Sequence, residues 1–139
     1  MTRVKSIVTF FALSWSSPAL AQPPPATFAV DGEAVTLQST TLPVHIPACR
    51  GLIWELRDPD TGRYRPFATA ACPPSQPAVL IDRQGLRFEP PADIPRPGQA
   101  RVTALIGVGC RPDRPFPIAG CRSVVSVFSE PISLGPDAP

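Results

Sequence analysis

The hydrophobic positions of this chain fall in short alternating blocks separated by prolines, glycines and charged turns. Alternation with period two marks a strand with one buried face, because successive side chains point to opposite sides of a sheet. Residues 52–57 (LIWELR) are the clearest case: Leu52, Trp54 and Leu56 share one face and Glu55 and Arg57 the other. Residues 101–110 (RVTALIGVGC) place Val102, Ala104, Ile106, Val108 and Cys110 in one alternation, and this is the expected central strand. Residues 121–129 (CRSVVSVFS) are its expected partner, and Ile132 to Leu134 extend the last strand past Pro131. Phe28 to Val30 begin an expected edge strand. Val35 and Leu37 alternate in one phase, whereas Leu42, Val44 and Ile46 alternate in the other. A slip of one residue turns the wrong face inward, so the flip near Thr40-Thr41 predicts a bulge or a switch between sheets. Pro43 and Pro47 cannot donate to a ladder, which predicts an edge strand there.

The connections carry turn chemistry. Asp58-Pro59-Asp60-Thr61-Gly62 combines a fixed proline dihedral, an aspartate that bonds nearby amides and a glycine that tolerates positive φ. Residues 63–67 (RYRPF) are the expected return arm of that hairpin. Residues 78–81 (AVLI) and 86–88 (LRF) flank Asp82-Arg83-Gln84-Gly85, a second hairpin signal. Glu89 to Gly98 hold four prolines and read as a long crossing loop. No helical stripe of useful length and no internal repeat appears. The expected fold is therefore all-β: a small antiparallel β-sandwich of about seven or eight strands. The run from Leu86 to Val108, a strand, a proline-rich crossing and then a valine-rich strand after Pro97-Gly98, resembles the last inter-sheet crossing of immunoglobulin-like or fibronectin type III domains. The resemblance rests on pattern over about a third of the exported chain, and the Cys…Trp…Cys spacing of antibody domains is not present.

The N-terminus changes the composition. Arg3 and Lys5, an apolar run from Ile7 to Trp15, Pro18 and the small residues of Ala19-Leu20-Ala21 make residues 1–21 an expected signal peptide, too short in its apolar run to span a bilayer. Residues 22–33 are then a proline-rich leader with the edge strand, residues 34–135 a single domain and residues 136–139 a tail. The whole chain has 13 basic and 11 acidic residues, a net charge of +2. Loss of Arg3 and Lys5 leaves 11 of each, so the positive excess belongs to the leader. A neutral exported chain lacks the basic stripe of a nucleic-acid protein, and after cleavage no membrane span remains. The chain has 21 prolines, and asparagine is absent. Together with arginine as the sole basic residue after Lys5, this composition points to a GC-rich bacterial genome and so to a periplasmic or secreted protein.

Cys49, Cys72, Cys110 and Cys121 all follow the leader. Four cysteines in an oxidising compartment predict two disulfides with three connectivities. Cys49–Cys72 and Cys110–Cys121 are favoured because they close the smaller loops beside expected hairpins. Zinc fails on spacing, since no CxxC is present and His45, the single histidine, has no partner at finger spacing. His45 points outward by alternation and no nucleophile elbow accompanies it. Asp58 and Asp60 do not complete a calcium loop, because Gly62 comes one position early and Thr69 stands where the closing glutamate belongs. No catalytic residue, cofactor or metal is assigned.

The most individual segment is residues 110–121, CRPDRPFPIAGC. Closed by its disulfide, it displays Arg111, Arg114, Phe116 and Ile118 on a proline-stiffened frame. Preorganisation lowers the entropy cost of binding, and arginine with an aromatic is favourable interface chemistry. The expected function is a non-enzymatic protein-binding or accessory module whose partner is another exported or envelope protein. The alternative is an inhibitor of a secreted protease using the same loop, although Pro112 and Pro115 follow its two arginines and disfavour cleavage there by trypsin-like enzymes.

Overall fold

The computed structural model describes residues 22–67, 71–73, 76–111 and 120–136. All its regular elements are strands, in two antiparallel sheets that share one interior. The small sheet has the order β1-β2-β7, formed by β1 (Ala26–Asp31), β2 (Ala34–Ser39) and β7 (Leu86–Phe88). The large sheet holds β3 (Val44–Pro47), β4 (Leu52–Arg57), β5 (Tyr64–Pro66), β6 (Ala78–Ile81), β8 (Gly98–Val108), β9 (Ser123–Phe128) and β10 (Ile132–Leu134). The described residues form ten strands where seven or eight are expected, because two long strand paths are interrupted.

β8 is the spine, as its alternation predicts. Ala100, Val102, Ala104 and Ile106 are fully buried on one face. β4 pairs with its first half, Leu52 facing Ala104 and Leu56 facing Ala100. β3 meets its second half at His45 and Gly107. Between them Ala48–Gly51 break the path, and Leu105 N donates to the Gly51 carbonyl across the gap (3.1 Å). On the opposite flank β9 and β10 follow β8 in succession, separated by Ser129–Pro131.

The phase flip near Thr40 is a switch between sheets. β2 ends in the small sheet at Ser39 and β3 begins in the large sheet at Val44. Two expectations need correction. β3 is not an edge strand, since it lies between β8 and β6. Its pairing with β6 places Ala48 N on the Pro77 carbonyl (3.0 Å), so alternate groups point the Pro47 nitrogen at the interrupted flank, where no ladder bond is lost. The 78–88 segment is also not a hairpin: β6 pairs with β3 and β7 with β2. Asp82 caps this crossing by accepting from Gln84 N (2.9 Å) and Gly85 N (3.0 Å), the same chemistry a hairpin turn would use.

The interior has two lobes. One gathers Ala26, Leu37, Val44, Ile46, Ile81, Ala104 and Ile106, and the other Val35, Trp54, Ile94, Ala100, Val102, Ile132 and Leu134. Each draws residues from both sheets. Ile94, 3% exposed, plugs the second lobe from the proline-rich crossing, which is why that loop is fixed. At that end Glu33 accepts from Arg96 Nη1 (2.6 Å) and Gly135 N (2.8 Å), tying the β1–β2 turn to the crossing and to the chain after β10. Both favoured disulfides are present, Cys49–Cys72 and Cys110–Cys121. Among the described residues no helix is long and apolar enough to cross a membrane.

Candidate functional site

The base of the β8–β9 hairpin is closed by two backbone hydrogen bonds and a disulfide. Arg122 N donates to Val108 O (2.9 Å), Arg111 N donates to Gly120 O (2.6 Å), and the Cys110–Cys121 disulfide sits between those bonds. Gly109 has φ +64, and a Cβ there would press on the Arg122 side chain at 3.1 Å, so the residue before the disulfide requires glycine on both counts. Arg111 is exposed at the base of the loop. Arg114, Phe116 and Ile118 lie outside the described residues, as does the 1–21 leader.

Two adjoining cavities lie along the β2–β3 connection, and the second reaches that base. One of about 340 Å³ is lined by Ser39, Thr41, Pro43, Asp82, Arg83 and Gln84. The other, about 290 Å³, brings Thr41, Leu42 and Pro43 against Val108, Gly109 and Arg122. Thr41 and Pro43 belong to both, so the cavities adjoin across the β2–β3 connection. The sheet switch explains the hollow, because the chain leaves one sheet and enters the other without covering the end of the interior. Leu42 stands at its rim, 76% exposed. Arg83 is fixed beside it by donating Nε to the Thr41 carbonyl (3.2 Å). Ser39, 5% exposed, lines the first cavity, and its Oγ has no hydrogen-bond partner among the described residues.

A second cluster lies on the outer face of the large sheet. The Arg101 guanidinium sits between the Tyr64 ring (4.5 Å) and the Phe128 ring (4.7 Å), with Nε held by Glu55. Register explains it: Glu55 opposes Arg101 and Phe128 opposes Thr103, on the face away from the interior. Alternation places Arg101 and Phe128 outward, but the four-strand neighbourhood that assembles the cluster is invisible in sequence.

The remaining candidates are accounted for locally. Asp58 Oδ1 accepts from Asp60 N (2.9 Å), and this bond holds its carboxyl below the usual range. The carboxylate is thus occupied with its own turn. His45 lies on the outer side of β3 with Nδ1 buried and without a hydrogen-bond partner among the described residues. Among the described residues no group of three or more His, Cys, Asp or Glu converges on one point. Alternation groups Leu42 with Val44 and Ile46, but it lies before β3 and is exposed where they are buried; Arg83 reads in sequence only as part of a turn. The adjacency of Leu42 to the phase flip at Thr40-Thr41 is the one sequence signal that sets it apart from Val44 and Ile46.

Comparison with protein-family models, with curated proteins and with solved structures gives no match for this chain.

Proposed function

We propose that this chain is an exported, non-enzymatic protein-binding module, and that its recognition surface is the end where the β2–β3 connection, the β6–β7 crossing and the disulfide-closed hairpin meet. The observation that carries the reading is the continuous hollow from Ser39 and Arg83, past Leu42 and Pro43, to Val108 and Arg122. An exposed apolar side chain beside a fixed arginine and an unsatisfied buried hydroxyl is the mix of apolar anchor and polar contact that protein recognition uses. Arg83 and Arg111 make a partner surface bearing carboxylates the best fit. Disulfides and the leader support export to an oxidising compartment.

The strand order supports an immunoglobulin- or fibronectin-like kinship. Taking β3 with β4, β9 with β10, and β5 with β6, which flank the β3/β4 path on the side away from β8, as interrupted paths, the sheets read as β1-β2-β7 against β5/β6-β3/β4-β8-β9/β10. That is three strands facing four, with the last two long strands adjacent, and such folds present their binding loops at one end.

The test is affinity capture from periplasmic extract with the wild-type protein and with Leu42→Asp and Arg83→Ala. Loss of the same captured protein in both variants, together with weaker capture at high salt, is the expected result. Identical capture by wild type and both variants would remove this surface from consideration.

A further inference from the structure

Gln22 stands directly after the small residues of Ala19-Leu20-Ala21. The fold fixes the chain from just beyond it. Thr40 Oγ1 donates to the Pro24 carbonyl (2.8 Å) and Thr40 N to the Pro25 carbonyl (3.0 Å). Ala26, the first residue of β1, is fully buried. Gln22 and Pro23 lie ahead of these anchors, and both are exposed. Removal of residues 1–21 therefore leaves the β1–β2 ladder and both Thr40 anchors in place, with a short end in solvent.

We propose that Gln22 becomes the N-terminal residue and closes on its own side chain to a pyroglutamate, so that the exported chain carries no free α-amino group. The inference rests on the reading of residues 1–21 as a cleaved leader. The α-amino nitrogen attacks Cδ of the Gln22 side-chain amide. The N–Cδ bond forms, the Cδ–Nε2 bond breaks, and Nε2 leaves as ammonia with one proton taken from the amine. The step needs no oxidant, reductant or further reactant.

Closure of a five-membered ring is intramolecular, so the nucleophile acts at a high effective concentration. α-Amino groups titrate at about 7.7–8.0, which leaves about a tenth of the amine uncharged and nucleophilic at pH 7. The anchors at Thr40 grip Pro24 and Pro25 and leave the Gln22 side chain free to turn onto its own nitrogen. A rival attack of the same amine on the Pro23 carbonyl would expel the Pro24 nitrogen and release residues 22 and 23 as a cyclic dipeptide. The two routes differ in the mass they leave behind. Loss of the amine also matters for charge. Without Arg3 and Lys5 the side chains hold 11 basic and 11 acidic residues, so the terminal amine is a positive charge on an otherwise balanced chain. Its conversion to a lactam lowers the isoelectric point and removes the cation that aminopeptidases grip.

The experiment is intact mass spectrometry on the full chain, expressed with its leader, purified from the periplasm and incubated for days at neutral pH. Wild type is expected at the mass of a chain beginning at Gln22 with both disulfides, less one ammonia. Fragmentation of the reduced tryptic peptide 22–50 is expected to place the loss on residue 22 and not on Gln38. Gln22→Ala is expected at its full mass, focusing at higher pH than wild type, with an unchanged circular dichroism spectrum. Gln22→Glu, which must expel water, closes far more slowly. An aminopeptidase that cleaves ahead of proline is expected to release residue 22 from Gln22→Ala and not from wild type. A chain that begins at Gln22 and keeps its full mass overturns the cyclisation while sparing the leader reading, and a chain beginning at Pro24 shows the rival attack and overturns it equally. A chain beginning anywhere else overturns the leader boundary and the proposal with it.

Discussion

Ser129 shows how one side chain can complete a ladder. Its Oγ accepts from Val102 N (2.8 Å) and donates to the Glu130 carbonyl (2.9 Å), in the kink where β9 gives way to β10. Val102 is fully buried, so no water replaces that acceptor. Ser129→Ala is therefore expected to cost about 1–3 kcal/mol, the penalty of an unsatisfied buried amide, read by urea unfolding. Ser129→Thr, which keeps the hydroxyl, should recover part of it. Sequence alternation cannot find this residue, because its role depends on the break in the strand rather than on its face. Glu33 is a second residue-scale device. The hydrogen bond from Arg96, followed by that from Gly135 N, holds its carboxyl below the ordinary value of 4.5. The folded state thus binds that proton less readily than the unfolded chain. Its stabilisation is complete above the ordinary value and is lost as pH falls through the lowered folded one. The melting temperature of wild type should fall more on acidification through that range than that of Glu33→Gln, and equal slopes would refute the linkage.

The strands themselves were legible because each is a short run of period two bounded by a breaker. β4, β8 and β9 appear where LIWELR, RVTALIGVGC and CRSVVSVFS predict them, and β10 resumes past Pro131. Pairing was less legible than existence. Asp82-Arg83-Gln84-Gly85 carries the chemistry of a hairpin, yet the chain crosses between sheets there, since local turn residues fix dihedrals and not destinations. Pro47 excluded an inner position by a rule about donors, yet β3 is inner, because the missing donor faces the Ala48–Gly51 break. The hollow behind Leu42 and Arg83 arises from that same class of information, the meeting of two connections remote in sequence. Gly85 fixes one of them. It holds φ +79, and a Cβ there would lie 2.6 Å from the Leu37 carbonyl and 3.0 Å from Gln38 Cβ. Gly85→Ala is expected to cost at least about 1–2 kcal/mol from the left-handed conformation alone. The closing carbonyl adds to this, and the shift should move Arg83 off Thr41. Chemical denaturation together with partner capture would read both effects.

At the scale of the whole molecule the two disulfides divide the labour between fold and loop. Cys49–Cys72 closes a separation of 23 residues and links the Ala48–Gly51 break, in the middle of the large sheet, to the chain entering β6. Cys49 N also donates to Gln76 Oε1 (2.6 Å), so the same junction is held by a hydrogen bond. Cys110–Cys121 closes only 11 residues at the tip of a hairpin whose strands are already paired. Chain entropy gives each cross-link about 3 kcal/mol, the longer loop exceeding the shorter by about 0.7 kcal/mol. Position widens the difference. Neither Cys110 nor Cys121 belongs to a lobe of the interior, whereas release of Cys72 frees a segment from the break that β3, β4 and β8 share. Replacing Cys49 and Cys72 by serine should therefore lower the unfolding midpoint of the whole chain, reported by the buried Trp54. Replacing Cys110 and Cys121 should leave that midpoint nearly in place while abolishing partner capture, because preorganisation of the loop is lost. If the second pair instead governs the midpoint and spares capture, the hairpin is a structural brace and recognition belongs elsewhere on the fold.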